Sequence, residues 1–398
     1  MTRANPRVGP MTATHHPVPH LDVDALLDDP KRRIVVCCGS GGVGKTTTAA
    51  ALALRAAERG RKAVVLTIDP ARRLAQSMGI EALDNVPRPV PGVRSGTGSL
   101  DAMMLDMKRT FDEVVESQAS PEKARQILDN PFYIAVSSSF AGTQEYMAME
   151  KLGQLDKDAR ASGRWDLIVV DTPPSRSALD FLDAPERLSS FLDGRFMKLL
   201  LAPARGPARL MTAGFNLVTK AVTTIIGGQV LNDMQAFVSA FDTLFGGFRQ
   251  RAQRTFELLQ ADGTSFLVVA APEPDALREA AYFVERLGAE EMPLAGLVVN
   301  RASVEPDLEP GAELSAATAM AGYEKLRGSQ DDVSRMAAGL LRLHADRKQV
   351  VERETKLRAR FATAHPDVAT VVLPALATDV HDLDGLRRIG GLLGRDVG

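Results

Sequence analysis

Cysteine is almost absent from this chain: there are 2 in 398 residues. They are the adjacent residues Cys37 and Cys38, within the apolar segment 33–38. Neighbouring side chains on a strand point to opposite faces, so these two are poorly placed to share a disulfide or a metal ion. We expect them to be small core residues, and we expect the compartment to be a reducing cytoplasm.

The sequence also lacks a long apolar run, an apolar N-terminal signal core and an excess of positive charge. No run reaches the ~18–20 residues that span a bilayer, so neither membrane insertion nor secretion is predicted. Lys and Arg number 48 and Asp and Glu number 50, which gives a net charge of −2. This balance gives no support for general nucleic-acid binding.

A glycine-rich run stands between an apolar strand (33–38) and an alanine-rich helix (46–58). The run is GSGGVGKT, and it ends at Lys45 and Thr46. Glycines allow successive backbone N–H groups to turn towards an anion, and the helix N-terminus adds partial positive charge. Lys45 can reach the β- and γ-phosphates, and the Thr46 hydroxyl can hold Mg²⁺. A glycine-rich turn without a ligand is the alternative.

We therefore predict that this segment, a P-loop, binds a nucleotide. The expected contacts are Gly39, Ser40, Gly41, Gly42, Val43, Gly44, Lys45, Thr46 and Thr47.

Short apolar strands alternate with helical stretches along the rest of the chain, which predicts an α/β fold with a mostly parallel sheet flanked by helices. Ligands of such sheets bind beyond the carboxyl ends of the strands. The expected strands are 33–38, 63–68, 100–105, 166–171, 266–271, 295–299 and 368–373. We expect residues 1–29 to be a disordered tail and residues 30–398 to form a single domain.

Three helical excursions interrupt or extend this alternation, at about 107–163, 183–262 and 303–364. The second contains apolar residues at spacings of three and four, which share one helix face. They are Met234, Phe237, Phe241, Leu244, Phe245 and Phe248. This stripe either packs on the domain or forms a surface for an apolar partner.

Two of the predicted strands end in a carboxylate, at Asp69 and at Asp171. Asp69 can accept a hydrogen bond from a water and orient it towards the γ-phosphate, although a turn or cap role before Pro70 is the alternative. Asp171 can reach Mg²⁺ through its water shell. The following Thr172-Pro-Pro-Ser-Arg176 loop can sense the γ-phosphate.

Two further residues are candidates for nucleotide contact. Asn300 ends the strand 295–299, and its amide can both donate to and accept from the edge of adenine. Glu273 follows Ala271-Pro272 ahead of a predicted amphipathic helix, where it meets the ligand or a second subunit, or simply caps the helix.

Together, these motifs resemble those of the deviant-Walker P-loop ATPases, and within them the ArsA-type family. That family includes the arsenical-pump ATPase and the guided-entry ATPase that delivers tail-anchored membrane proteins. Asp69-Pro-Ala and Asp171-Thr are similar to its two switch loops, and Gly142-Thr-Gln-Glu145 is similar to the segment before the second. The residues within these motifs resemble those of a bacterial, actinobacterial branch of the family.

The resemblance implies an ATP- and Mg²⁺-dependent dimer with nucleotide near the subunit interface. It assigns phosphate binding to Lys45 and Thr46, water orientation to Asp69, Mg²⁺ support to Asp171 and adenine recognition to Asn300. The family's second P-loop lysine is replaced by Ser40, so hydrolysis is slow or another group, such as Arg72, Arg73, Arg176 or a partner residue, supplies the charge. A heterodimer with a related ATPase subunit is as plausible as a homodimer.

Three functions remain open at this point. The first is a nucleotide-driven ATPase that handles or regulates a membrane-associated client through residues 183–262. The second is a MinD/ParA-like switch that changes partner or location between its ATP and ADP states. The third is a weakly hydrolysing, ATP-binding regulatory subunit of a heteromeric complex, which the serine at position 40 favours. The family's CxxC zinc motif and arsenite-binding cysteines are both missing.

Overall fold

The computed structural model describes residues 18–69, 73–94, 96–131, 133–134, 143–173, 247, 250–305 and 314–394. The strands are β1 (Ile34–Cys38), β2 (Lys62–Thr67), β3 (Arg88–Pro89), β4 (Ser99–Met104), β5 (Leu167–Asp171), β6 (Thr264–Ala270), β7 (Leu294–Ala302) and β8 (Thr370–Pro374). They form one eight-stranded sheet in the order β3-β4-β2-β5-β1-β6-β7-β8. Neighbouring strands run parallel except for the antiparallel edge pair β3–β4.

This parallel sheet and its flanking helices confirm the predicted α/β class of a P-loop NTPase. Strand β3 was not predicted, because two residues are too short to show an alternating pattern. Its Pro89 is tolerated there, since an edge strand leaves one side of the backbone without a ladder hydrogen bond to make.

The centre of the sheet is apolar on both faces, as expected for parallel strands covered by helices. All five residues of β1 are fully buried. Strand β1 lies between β5 and β6, so the P-loop that follows it leaves from the middle of the sheet. Strand order therefore places the carboxyl ends of β2, β5, β6 and β7 around the P-loop.

The helices cover both faces of the sheet. Their bounds are α1 (Val23–Asp28), α2 (Lys45–Glu58), α3 (Arg73–Ser77), α4 (Met107–Gln118), α5 (Pro121–Leu128), α6 (Thr143–Ser162), α7 (Pro274–Ala289), α8 (Ala316–Leu326), α9 (Asp332–Ala364) and α10 (Leu383–Leu393). Helix α2 begins at the end of the P-loop and is rich in fully buried alanine, which lets it lie close to the strands. Helix α10 packs against it, and Arg387 forms an ion pair with Glu58 at 2.8 Å.

The N-terminal segment joins the domain earlier than the sequence predicted. Val23 and Leu27 of α1 are fully buried, and Asp22 caps the helix by accepting a hydrogen bond from Ala25 N at 2.8 Å. An ion pair from Asp24 to Arg55 of α2 measures 2.5 Å. The predicted tail boundary at residue 29 is therefore too late, because a six-residue helix with two apolar contacts carries almost no periodic signal.

Only parts of the three predicted helical excursions are described. The first contains α4, α5 and α6, and the third contains α8 and α9. Of residues 183–262, the structure describes residue 247 and residues 250–262, which are helical at 250–260. The six residues of the apolar stripe lie outside the described residues. Within the described ranges, no helix is both long and apolar enough to cross a bilayer.

The burial of α1 gives a first testable consequence. Leu27→Ala should lower the free energy of unfolding by about 3 kcal/mol, since it removes a fully buried side chain and leaves a cavity. Leu340→Ala on α9, where the leucine is 61% exposed, should change it by less than about 0.5 kcal/mol. Chemical unfolding of both variants checks this, and equal stability of the two would show that α1 is not part of the core.

Candidate functional site

The P-loop has a backbone that only glycine can adopt at two close contacts. Gly39 and Gly44 have φ angles of +147° and +94°. A Cβ at Gly39 would lie 2.1 Å from the Val269 carbonyl oxygen of β6, and a Cβ at Gly44 would lie 2.2 Å from Asn300 Nδ2 of β7. Both glycines are therefore required for the loop to fold against the ends of β6 and β7.

Lys45 lies at the start of α2 and is buried under the loop that it follows. Its Nζ donates a hydrogen bond to the Ser40 carbonyl oxygen at 2.7 Å. Burial lowers the pKa of Lys45, while the negative charges of Asp171 and Asp69 raise it. The ammonium group is thus held inside the loop, where a bound anion would compensate for the hydration that the lysine loses on burial.

The two predicted carboxylates come together because their strands are neighbours, with Thr67 of β2 opposite Asp171 of β5. Asp69, two residues beyond Thr67, is 9% exposed and its backbone N–H donates to Thr67 Oγ1 at 3.3 Å. Asp171 is fully buried, and its Oδ2 accepts a hydrogen bond from Thr67 Oγ1 at 2.8 Å. Both acids thus stand at the same edge of the sheet as the P-loop.

Asp171 carries the strongest sign of a missing partner in this site. Its Oδ1 is buried without a hydrogen-bond partner in the part of the chain that the structure describes. Burial raises the pKa of Asp171 to about 6, against the opposing effects of the Thr46 and Thr67 hydroxyls and of Lys45. An unpaired carboxylate oxygen beside a hydroxyl is a hard-oxygen donor set of the kind that Mg²⁺ prefers, so these residues fit that ion.

A cavity of about 670 Å³ opens over the P-loop at the carboxyl edge of the sheet. Of the predicted contacts, those that line it are Gly42, Gly44, Lys45, Thr46, Thr47, Asp69 and Asn300. Asp171 lies buried beneath it, and Gly39, Ser40, Gly41 and Val43 belong to the loop without lining the cavity. The volume lies in the usual range for small-molecule sites.

The sequence analysis missed several parts of this cavity. They include the loop that follows β8, from Pro374 to His381, Arg301, and lining residues of α3 (Gln76 and Ser77) and of α10 (Ile389 and Leu392). The loop after β8 could have been predicted to line the site, because β8 itself was predicted and ligands bind beyond the carboxyl ends of strands. For Arg301 no pattern pointed to the cavity.

Asn300 contacts the P-loop itself. Its Nδ2 donates to the Val43 carbonyl oxygen at 2.8 Å, and its Oδ1 accepts a hydrogen bond from the Arg301 backbone N–H at 2.9 Å. The side chain is buried. Asn300 therefore holds the P-loop against β7 and also lines the cavity, while its reading of adenine stays a prediction.

Glu273 is placed differently. It occupies the N-cap position of α7, yet its side chain makes no capping hydrogen bond, and it does not line the cavity. The capping alternative thus finds no support, and a contact of Glu273 with nucleotide or with a second subunit stays a prediction.

The two switch segments are described only at their beginnings. Thr172 Oγ1 donates to the Cys37 carbonyl oxygen of β1 at 2.9 Å, which ties the second segment to the strand that carries the P-loop. Pro70 to Arg72, Pro174 to Arg176 and Gly142 lie outside the described residues. Arg73 is described and lines the cavity.

The hydrogen bond from Asn300 to the P-loop can be tested without nucleotide. Asn300→Ala should lower the free energy of unfolding by about 1–2 kcal/mol, and Asn300→Asp should lower it further, because a carboxylate oxygen would face the Val43 carbonyl. Gln349→Glu, the same amide-to-carboxylate change on the exposed face of α9, should have almost no effect. Chemical unfolding measures all three, and a stable Asn300→Asp variant would contradict the contact.

The chain resembles ATPases from several lineages. ATPase GET3C of Arabidopsis thaliana is 25% identical over 261 residues, which cover 63% of this chain and 62% of that protein. The arsenical pump-driving ATPase of Acidiphilium multivorum is 30% identical over 145 residues, 36% of this chain and 24% of that protein. ATPase GET3 of Candida glabrata is 24% identical over 259 residues, with 63% and 66% covered.

The chain therefore spans less than two thirds of the length of each of these relatives, and the predicted actinobacterial origin is not tested by them. A family model, described as anion-transporting ATPase, matches residues 32–321. Since this match covers most of the chain, the protein belongs to the anion-transporting (ArsA) ATPase family.

Proposed function

We propose that the chain is a Mg²⁺-dependent ATPase that binds ATP in the cavity over the P-loop. The observation that carries this proposal is the buried, unpaired Oδ1 of Asp171, which stands beside the Lys45–Thr46 end of the P-loop. An unmade hydrogen bond in the core is costly, so a buried carboxylate oxygen without a partner at this position favours a ligand. A hydrated Mg²⁺ and a phosphate group would satisfy both this oxygen and the buried Lys45.

The phosphates would be held by the P-loop amides, the N-terminus of α2 and Lys45. Lys45 would exchange its hydrogen bond with the Ser40 carbonyl for phosphate oxygens. Thr46 and Asp171 would hold Mg²⁺, which neutralises charge on the phosphates when it is bound.

Asp69 would orient the attacking water. Its carboxylate lies at the edge of the cavity on a strand end fixed by the Thr67 hydroxyl, so its position is set by the sheet. Phosphoryl transfer depends mainly on positioning and on charge stabilisation, so the placement of this carboxylate matters more than its strength as a base. The adenine would lie within reach of Asn300, which lines the cavity beside the P-loop.

Nucleotide-driven switching of a dimer would couple this cycle to a client. The link of Thr172 to the Cys37 carbonyl supports such coupling, because a change at the P-loop strand would reach the second switch segment directly. We propose that this client is membrane-associated and is handled by residues 183–262, in keeping with the name arsenical pump-driving ATPase of one relative. A homodimer and a heterodimer are both compatible with the family.

Ser40 favours a second candidate, a weakly hydrolysing ATP-binding subunit of a heteromeric complex. Its hydroxyl is buried without a hydrogen-bond partner among the described residues, and it brings no positive charge to the phosphates. A MinD/ParA-like switch shares the same site chemistry, so changes of partner or location with nucleotide state would distinguish it.

The proposal is tested by ATP hydrolysis of the purified chain with Mg²⁺. Asp69→Asn should lower kcat by about 100-fold or more, because the amide keeps the size of the side chain but orients water poorly. Lys45→Ala should lower both nucleotide affinity and kcat. Asp332→Asn, at an exposed acid on α9, should leave both unchanged.

The same samples are sized with ATP and with ADP. An ATP-dependent dimer with turnover supports a self-sufficient ATPase. ATP binding without turnover supports the regulatory subunit, and turnover that survives Lys45→Ala excludes this cavity as its source.

A further inference from the structure

Strand β7 contains a β-bulge at the residues that face the P-loop. Val299 pairs with Val372 and Ala302 pairs with Pro374, so two residues of β7, Asn300 and Arg301, stand opposite one residue of β8. Arg301 has a φ of 59°, and among the described residues it shares a positive φ with one other non-glycine residue, Glu291. Such strain at a site edge is a sign of function, and bulges re-aim side chains next to active sites.

The bulge brings two consecutive side chains onto the same loop. In a regular strand, Asn300 and Arg301 would point to opposite faces. Here the Asn300 amide reaches the Val43 carbonyl, and Arg301 Nη1 donates to the Gly42 carbonyl oxygen at 3.0 Å. Two consecutive residues of β7 therefore donate hydrogen bonds to two successive carbonyl groups of the P-loop.

The guanidinium of Arg301 has more donors than this contact uses. A guanidinium carries five N–H groups, and one of them meets Gly42. Arg301 is exposed and lines the cavity together with Lys45 and Thr46. No ion pair joins Arg301 to any acid in the described ranges, so its charge is not neutralised there.

The cavity needs such a charge, because Ser40 supplies none. Arg73 also lines the cavity but is not hydrogen-bonded to the P-loop in the described structure, whereas Arg301 is. Arginine is suited to this task, since its planar fork binds phosphate through two parallel hydrogen bonds and stays charged at any physiological pH.

We propose that Arg301 is a second cationic phosphate contact of this site, carried by the β7 bulge in place of a lysine on the P-loop. The inference rests on the proposed function, because it requires nucleotide in the cavity. It predicts that the charge of Arg301, and not only its hydrogen bond to Gly42, contributes to nucleotide affinity.

Three variants separate charge from hydrogen bonding: Arg301→Gln, Arg301→Lys and Arg327→Ala. Glutamine can still donate to the Gly42 carbonyl but is neutral, and lysine keeps the charge. Arg327 is an exposed arginine at the end of α8, ion-paired with Glu324, and serves as the matched control. Equilibrium titration with fluorescent ATP and ADP analogues measures affinity, and nucleotide-free unfolding checks that the fold is intact.

Arg301→Gln should weaken ATP binding by about 10-fold to 100-fold, while Arg301→Lys should keep most of the affinity and Arg327→Ala all of it. Unchanged affinity in Arg301→Gln, or equal losses in the glutamine and lysine variants, would overturn the charge role. If wild-type protein binds no ATP, the inference and the proposed function fail together. If it binds ATP and Arg301→Gln binds equally well, this inference alone fails.

Discussion

The close approach of the P-loop backbone to β6 and β7 is the constraint on which the site depends. The contacts at Gly39 and Gly44 leave no room for a side chain, and Asn300 closes the second of them with a hydrogen bond to Val43. A loop held this way has its amides already directed inward before a ligand arrives. The entropy of ordering them is lost on folding and need not be lost again on binding, which is the physical meaning of preorganisation.

The electrostatics of the site follow from the same packing. Lys45 is buried with its pKa lowered, and Asp171 is buried with its pKa raised to about 6, so burial disfavours the charged form of both groups. Each charge is stabilised by the other, although Asp171 keeps one oxygen unpaired. An anion at the lysine together with a cation at the acid would compensate both groups for the solvation lost on burial. A phosphate with its hydrated metal has this combination of charges, which is why the arrangement is better explained by binding than by stability.

The sequence was sufficient for the parts of the protein that local patterns determine. The P-loop, seven of the strands and the acids Asp69 and Asp171 follow from apolar runs that end in a polar residue. The early start of α1, the edge strand β3 and the bulge at Arg301 do not, because each depends on contacts between distant segments. The amino-acid sequence around residue 301 does not distinguish a bulge from a regular strand end. The direction of the Arg301 side chain depends on whether the bulge is present. The loop after β8 could have been predicted as part of the site, because ligands of parallel sheets bind beyond the carboxyl ends of the strands.

Placing a positive charge on β7 rather than on the P-loop has a mechanical consequence. A lysine at position 40 would move with the loop and could extend freely away from it. Arg301 is anchored in the bulge of β7, and it contacts the loop through the Gly42 carbonyl. Any shift of the P-loop relative to β7 would therefore change both that hydrogen bond and the position of the guanidinium. Because α2 begins at Lys45 and Thr172 is tied to β1, the same shift would be transmitted to the second switch segment. In the role proposed for Arg301, a charge carried by the sheet would make phosphate binding and loop position interdependent, as a nucleotide-driven switch requires.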